Sequence, residues 1–442
     1  MHTYSYRQIA MIAWPILVST LMEQLIGMTD TAFLGRVGSI ELGASALGGI
    51  FYVAVFMVGL GFSIGAQILM ARRNGQGDYA AIGHTFYHSL ALLTLQACLV
   101  FVLTRWLAPS ILESIISSHA VYEAANSYLQ WRIFGLLFAF VNALFRAFYV
   151  ATTHTRTLTL NSIALVLSNM LFNYALIFGH FGMPQLGIAG AAIGSTLAEV
   201  VSLIFFVAYT GRHVDLHQYA LDKLPRISLS QMRRLLSLGS PVMLQNVLSL
   251  STWFLFFLSV EHLGERQLAA TNIIRNISSF TFMAVIALSS TATTLVSNLM
   301  GAGEHEAVWP MLRRVIGLGY LILTPILVLI GLCPDAVMHL FTADHSLVEI
   351  GRQALYVLLS SYLFTIPTQI LLHAVSGTGN TRTALLFESI SLTIYCVYVG
   401  VAIFGCRVSL PWCWFSEYVY HIFTFILCLT YLSNDRWRNK RI

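Results

Sequence analysis

The sequence predicts an all-α membrane protein with twelve transmembrane helices in two parallel six-helix repeats, an N-lobe and a C-lobe, around a central cleft. Three observations lead there. Hydrophobic residues fill 57% of the 442 positions and charged residues only 10%, with a mean hydropathy of +0.75, more apolar surface than a water-soluble core has use for. Runs of about 20 apolar residues, each able to cross a ~30 Å hydrocarbon layer, recur along the whole chain. The second half repeats the first at a constant offset of 226 residues.

Hydropathy and turn signals place the spans at 8–34, 43–71, 82–104, 121–150, 158–179, 187–211, 232–260, 268–298, 309–331, 347–375, 384–404 and 412–433. The tail before the first span is too short for a cleaved signal peptide, so that span is expected to be retained. This divides the chain into an N-lobe (1–211), a polar cytoplasmic linker (212–231) and a C-lobe (232–442). Most Lys and Arg fall on one side of the membrane, from Arg7, Arg72 and Arg73 through Arg212 to Arg436, Arg438, Lys440 and Arg441, against Arg36, Arg105, Arg266 and Arg407 on the other. By the positive-inside rule both termini are cytoplasmic, and the net charge of +5 is this topological signal, with no nucleic-acid patch in it. The six cysteines show no paired metal spacing and read as free thiols, although Cys406 and Cys413 flank one loop and bridge if it faces an oxidising compartment.

The first span carries the chemistry. Glu23 and Asp30 stand two turns apart on the face shared with Ser19, Thr20 and Gly27, and ionisable groups at that depth are expensive enough to point to function. Pro15 kinks the start of the helix without ending it. The fifth span offers Ser168, Asn169 and Asn173, and the sixth Ser195, Thr196 and Glu199, as oxygen and amide partners at matching depth. Each asparagine reads equally well as a plain interhelical bond.

The repeat aligns Pro15 with Pro241, Gly38 with Gly264, Gly75 and Gly77 with Gly301 and Gly303, Asp78 with Glu304, and Thr155–Thr157 with Thr381–Thr383. Six spans per half make the repeats parallel, a design suited to alternating access. The symmetry breaks at the acids: Glu23 maps to Ser249 and Asp30 to Phe256, so coupling through carboxylates is assigned to the N-lobe.

These residues carry a resemblance. The Trp14–Ile16 "WPI" and Met28–Gly35 "MTDTAFLG" segments, the "GQGD" and "GAGE" loops, the "TRT" loops and the 6+6 repeat resemble the MATE (multidrug and toxic compound extrusion) family, and the Asp30 context its DinF-like branch most. The resemblance implies a secondary antiporter that exports amphipathic, usually cationic compounds against H⁺ or Na⁺, with no other cofactor, as a multi-pass monomer of the bacterial cytoplasmic (inner) membrane. Carried over by position, Asp30 matches the branch's coupling aspartate, Asn169 its fifth-span asparagine and Ser195 a hydroxyl on the sixth span; with Asn173 and Glu199 at matching depth they form the candidate cation-coupling set, a Na⁺ site at Asp30, Asn169 and Asn173 being one option, and Glu23, Gln24, Asn272 and Arg275 are assigned to the substrate cavity. Asn173 stands where the family commonly has a second aspartate, which favours H⁺. Arg275, on a polar stripe with Asn272 and Ser279, suits an anionic or zwitterionic substrate, while Arg132 and Arg146 read as arginines paired with helix-end carbonyls, Glu123 or lipid phosphate. A flippase for a lipid-linked substrate from the same superfamily is the nearest alternative. A membrane enzyme, suggested by the H-x-x-x-x-D pattern of His339 to Asp344, is the more distant one.

Overall fold

A computed structural model of the chain describes residues 4–434, 437, 438 and 440; the charges expected at Arg436 and Arg441 lie outside it. Among the described residues there is no strand. The first seven helices are α1 (Tyr6–Val37), α2 (Ser39–Gly75), α3 (Tyr79–Ile115), α4 (His119–Arg132), α5 (Phe134–Ala151), α6 (Arg156–Phe178) and α7 (Gly187–His213). After them come α8 (Leu229–Glu261), α9 (Glu265–Ala302), α10 (Val308–Leu332), α11 (Pro334–His339), α12 (His345–Gly377), α13 (Thr381–Gly400), α14 (Leu410–Trp414) and α15 (Ser416–Leu432). Among the described residues twelve segments are long and apolar enough to cross a membrane, and they follow the spans read from hydropathy. Large apolar side chains such as Leu99, Val102, Trp106, Leu321 and Leu329 stand exposed on them, as a surface wetted by hydrocarbon requires.

The fourth span departs from the expected single helix over 121–150. It is interrupted at Ile133, where the Leu136 amide turns back to the Ile133 carbonyl at 3.0 Å in a tighter, three-residue turn. The Trp131 carbonyl beside the break accepts from Thr196 Oγ1 at 3.3 Å. The "GQGD" and "GAGE" signals do stop their helices for a local reason: Gly77 (φ 72°) and Gly303 (φ 75°) adopt the left-handed conformation that a side chain disfavours.

Contacts divide the chain into two units. One consists of Val18–Met243, the other of Met1–Leu17 with Leu244–Ile442. The segment 212–231 lies wholly in the first of these, where Tyr219 is buried against Tyr79 and Phe148, and Tyr87 donates to the Leu221 carbonyl at 2.5 Å. In the same unit the start of α8 approaches α2 backbone to backbone. A Cβ on Gly61 would lie 2.6 Å from Met243 Cα and one on Gly65 2.5 Å from Gly239 Cα, so glycine is what lets the two helices touch.

Candidate functional site

In the Val18–Met243 unit, α1 lies along α6, joined by the Ser19 and Ser162 hydroxyls at 2.6 Å and by Phe33 packed on Tyr174 and Phe178. That register brings Asp30 to the fifth-span asparagines. Asn173 Nδ2 donates to Asp30 Oδ1 at 2.6 Å and reaches Asn169 Oδ1 at 3.2 Å, and Asn169 Nδ2 donates to Ser195 Oγ on α7 at 3.0 Å. Asn169, Asn173 and Ser195 are buried and Asp30 half-buried. The chain forms because α6 and α7 pack closely: a Cβ on Gly190 would meet the Leu176 carbonyl at 2.5 Å, and one on Gly194 would collide with Asn173 Oδ1. Asn173 Oδ1 itself has no hydrogen-bond partner. An amide can donate to a carboxylate through its nitrogen or accept from a carboxylic acid through its oxygen, so this one residue is able to serve Asp30 in both charge states.

Glu199 belongs to a second polar knot. Its Oε2 accepts from Asn142 Nδ2 at 2.9 Å, and its Oε1 lies 3.9 Å from Arg132 Nη2. The Arg132 guanidinium stacks 3.8 Å over the Tyr52 ring, and its Nη1 occupies the space that a side chain on Gly135 would need. The reading of Arg132 as an arginine held by Glu123 or lipid is thereby corrected: Glu123 faces His119 at 3.7 Å, and the interruption at Ile133 turns Arg132 inward to Glu199. Arg132 also interacts electrostatically with Asp30, which links the two knots. Arg146 is likewise paired within the protein, donating to Glu23 Oε1 at 2.5 Å and to Thr20 Oγ1 at 3.4 Å. Glu23 therefore carries its own counter-cation, and Gln24 beside it is half-buried.

In the other unit, Asn272 and Arg275 lie half-buried on α9. Arg275 has no ion-pair partner among the described residues; its Nε is buried without a hydrogen bond and its guanidinium stands 5.6 Å from the Phe257 ring centre. Sequence reasoning passed over Glu388 on α13. It is buried, accepting from Ser249 Oγ and Tyr420 Oη, both at 2.7 Å. The signal was available in the repeat, because Glu388 occupies the fifth-span position equivalent to Ser162, and Ser162 is the residue that meets α1.

The H-x-x-x-x-D residues hold a turn. His339 Nδ1 is 3.1 Å from the Thr342 carbonyl, while Asp344 caps α12 through the Ser346 amide at 2.9 Å and pairs with Arg266 at 3.1 Å. All six cysteines are free. Among the described residues no three His, Cys, Asp or Glu side chains are grouped to hold a metal ion.

A family model described as MatE matches residues 15–175 and again residues 241–401, both ends shifted by the same 226 residues that relate the halves. The chain belongs to the MatE family. Its curated relatives include the probable multidrug resistance protein NorM of Thermotoga maritima, 24% identical over 99% of this chain and 94% of its own. The protein of the same name from Burkholderia pseudomallei is 30% identical over 75% of this chain and 70% of its own. Two solved structures share the fold. One is a multidrug resistance MATE transporter of the MOP superfamily in an outward-facing conformation (TM-score 0.88, 18% identity, 99% of this chain and 97% of that one). The other is a MOP superfamily transporter from Pyrococcus furiosus described as having a binding pocket of reversed polarity (TM-score 0.87, 17% identity, 97% and 96%). MatE proteins are membrane transporters, so a membrane enzyme is not the reading to pursue.

Proposed function

We propose that this MatE protein is a secondary antiporter that exports amphipathic, cationic compounds in exchange for H⁺ by alternating access. It would act as a monomer in the bacterial cytoplasmic membrane, with both termini cytoplasmic. The observation that carries the reading is the hydrogen-bond chain from Asp30 through Asn173 and Asn169 to Ser195. A carboxylate in an apolar span that makes no ion pair within 4.0 Å among the described residues can be neutralised by a proton. Protonation removes the charge and turns Asp30 into a donor; the unpartnered Asn173 Oδ1 can then accept from it. The two charge states thus ask for different arrangements of α1 against α6, and a ligand that prefers one of them shifts the balance.

One feature favours H⁺ over Na⁺: Asn173 presents its nitrogen, a donor, to the carboxylate, whereas Na⁺ is held by oxygens. Export of amphipathic cations rests on the family and on the names of the curated relatives. Arg275 supports a second reading: an unpaired guanidinium attracts an anionic or zwitterionic substrate, including a lipid-linked one.

The test is transport into proteoliposomes with an imposed pH or Na⁺ gradient and a panel of fluorescent cations. Asp30→Asn should abolish gradient-driven transport while leaving the fold and substrate binding intact, and Glu23→Gln should weaken it less. Transport that follows Na⁺ and ignores pH, or an Asp30→Asn protein that still works against a gradient at normal rates, would sink the mechanism.

A further inference from the structure

The buried carboxylate on α13 has surroundings unlike those of Asp30. Glu388 is only 3% exposed, and its two oxygens each receive one neutral hydroxyl, from Ser249 on α8 and Tyr420 on α15, with the neutral Gln245 amide of α8 beside them. Among the described residues no Lys or Arg comes within 4.0 Å of it. The next residue after Tyr420 is His421, also 3% exposed, whose Nε2 lies 3.4 Å from Glu417 Oε2 and whose Nδ1 has no hydrogen-bond partner. Its ring packs 4.9 Å from that of Tyr420, and it interacts electrostatically with Glu388. Ser416, at the start of α15, is wholly buried with its hydroxyl unsatisfied. Further titratable groups beside this cluster are Tyr362 on α12, Tyr395 on α13 and Cys428 on α15; the Tyr395 ring lies 6.5 Å from that of Tyr420 and its hydroxyl has no hydrogen-bond partner.

Two carboxylates and one imidazole therefore share a region with no fixed cation. Two neutral hydroxyl donors do not balance a full charge inside a membrane protein, so the compensating charge must be a proton, on Glu388, on His421 or shared between them. The repeat sharpens the point. Glu388 and His421 occupy the positions equivalent to Ser162 and Ser195, which in the other unit carry hydroxyls in the α1–α6 contact and in the Asp30 chain. Each repeat has thus placed its titratable groups where the other has none.

We infer that Glu388, His421 and Glu417 form a second proton-holding site, in the unit that contains α9 to α15, which takes up and gives back one proton separately from Asp30. The step is a proton exchange between this cluster and water, with no other bond made or broken. This rests on the antiport reading only for the use made of the proton; the site itself stands on its own geometry.

Infrared pH titration of the purified full-length protein tests the site without requiring transport. The wild type should show two protonated-carboxyl bands that titrate, one missing in Asp30→Asn and the other in Glu388→Gln, whose amide can keep the Ser249 and Tyr420 bonds. His421→Gln should shift the titration of the Glu388 band. In proteoliposomes, Glu388→Gln should retain pH-driven transport with an altered pH profile. A Glu388 band that never titrates, or a Glu388→Gln protein whose spectrum and pH profile match wild type, overturns the inference. If Asp30→Asn transports normally while the Glu388 band still titrates, the antiport reading fails and the second site stands.

Discussion

The ion pair of Arg132 and Glu199 should behave as a unit whose halves are worse alone than absent together. The two side chains are 12% and 18% exposed and their charged atoms lie 3.9 Å apart. At an effective dielectric constant of ~20, that separation gives an attraction of about 4 kcal/mol, offset by the cost of taking both groups out of water. Removing one partner strands the other, at a cost of about 3–5 kcal/mol, whereas replacing both by neutral groups of similar size is close to neutral. Arg132→Met should therefore destabilise strongly, because Glu199 keeps only the Asn142 bond. Glu199→Gln should cost less, since Arg132 retains the Tyr52 ring and its interaction with Asp30. The double variant should recover most of the Arg132→Met loss, with a coupling energy of about 2–4 kcal/mol. Unfolding of the purified protein in mixed detergent, followed for all four members of the cycle, measures it. Single effects that add within about 0.5 kcal/mol would show that the pair is not coupled and that Arg132 is held by other groups.

Asn173→Asp places a second carboxylate beside Asp30 and should make transport sensitive to Na⁺, because two carboxylates at hydrogen-bond distance cannot both ionise without a cation between them; unchanged insensitivity to Na⁺ in proteoliposomes counts against the ion assignment. Arg275→Leu should alter the ranking of fluorescent substrates more than the pH dependence, and an equal loss for every substrate would instead indicate a folding role. Asp344, at the exposed start of α12, is held below the usual carboxylate range by its bonds from Ser346. A depressed carboxyl stabilises the fold above its unfolded value of about 3.9 and loses that contribution as pH falls through the folded value. Asp344→Ala should thus lower the melting temperature equally from neutral pH down to mild acid, with the difference closing only at strongly acidic pH.

How far the sequence reached depends on what kind of signal each feature leaves. The spans and the repeat were legible because hydropathy and a 226-residue register are summed over many positions. The assembly of Asp30, Asn169, Asn173 and Ser195 was legible because few polar residues in apolar helices have anywhere to go but to one another. Arg132 was misplaced because the break at Ile133 has no proline and no glycine at the break itself, so nothing announced that the helix would turn the guanidinium inward. Glu388 was overlooked because acids were sought at the first-span equivalents of Glu23 and Asp30. The repeat had moved the second acid to the partner helix of the same contact.

The unit boundaries fall two residues beyond Pro15 and Pro241, inside α1 and α8, and the entry to each helix is held from the unit it packs into. His88 Nε2 accepts from the Ser228 amide at 2.9 Å, and at the equivalent position Arg314 donates to the Tyr4 carbonyl at 2.5 Å. One repeat on its own therefore cannot complete its own bundle: it must lend the first turns of its leading helix and receive those of another copy.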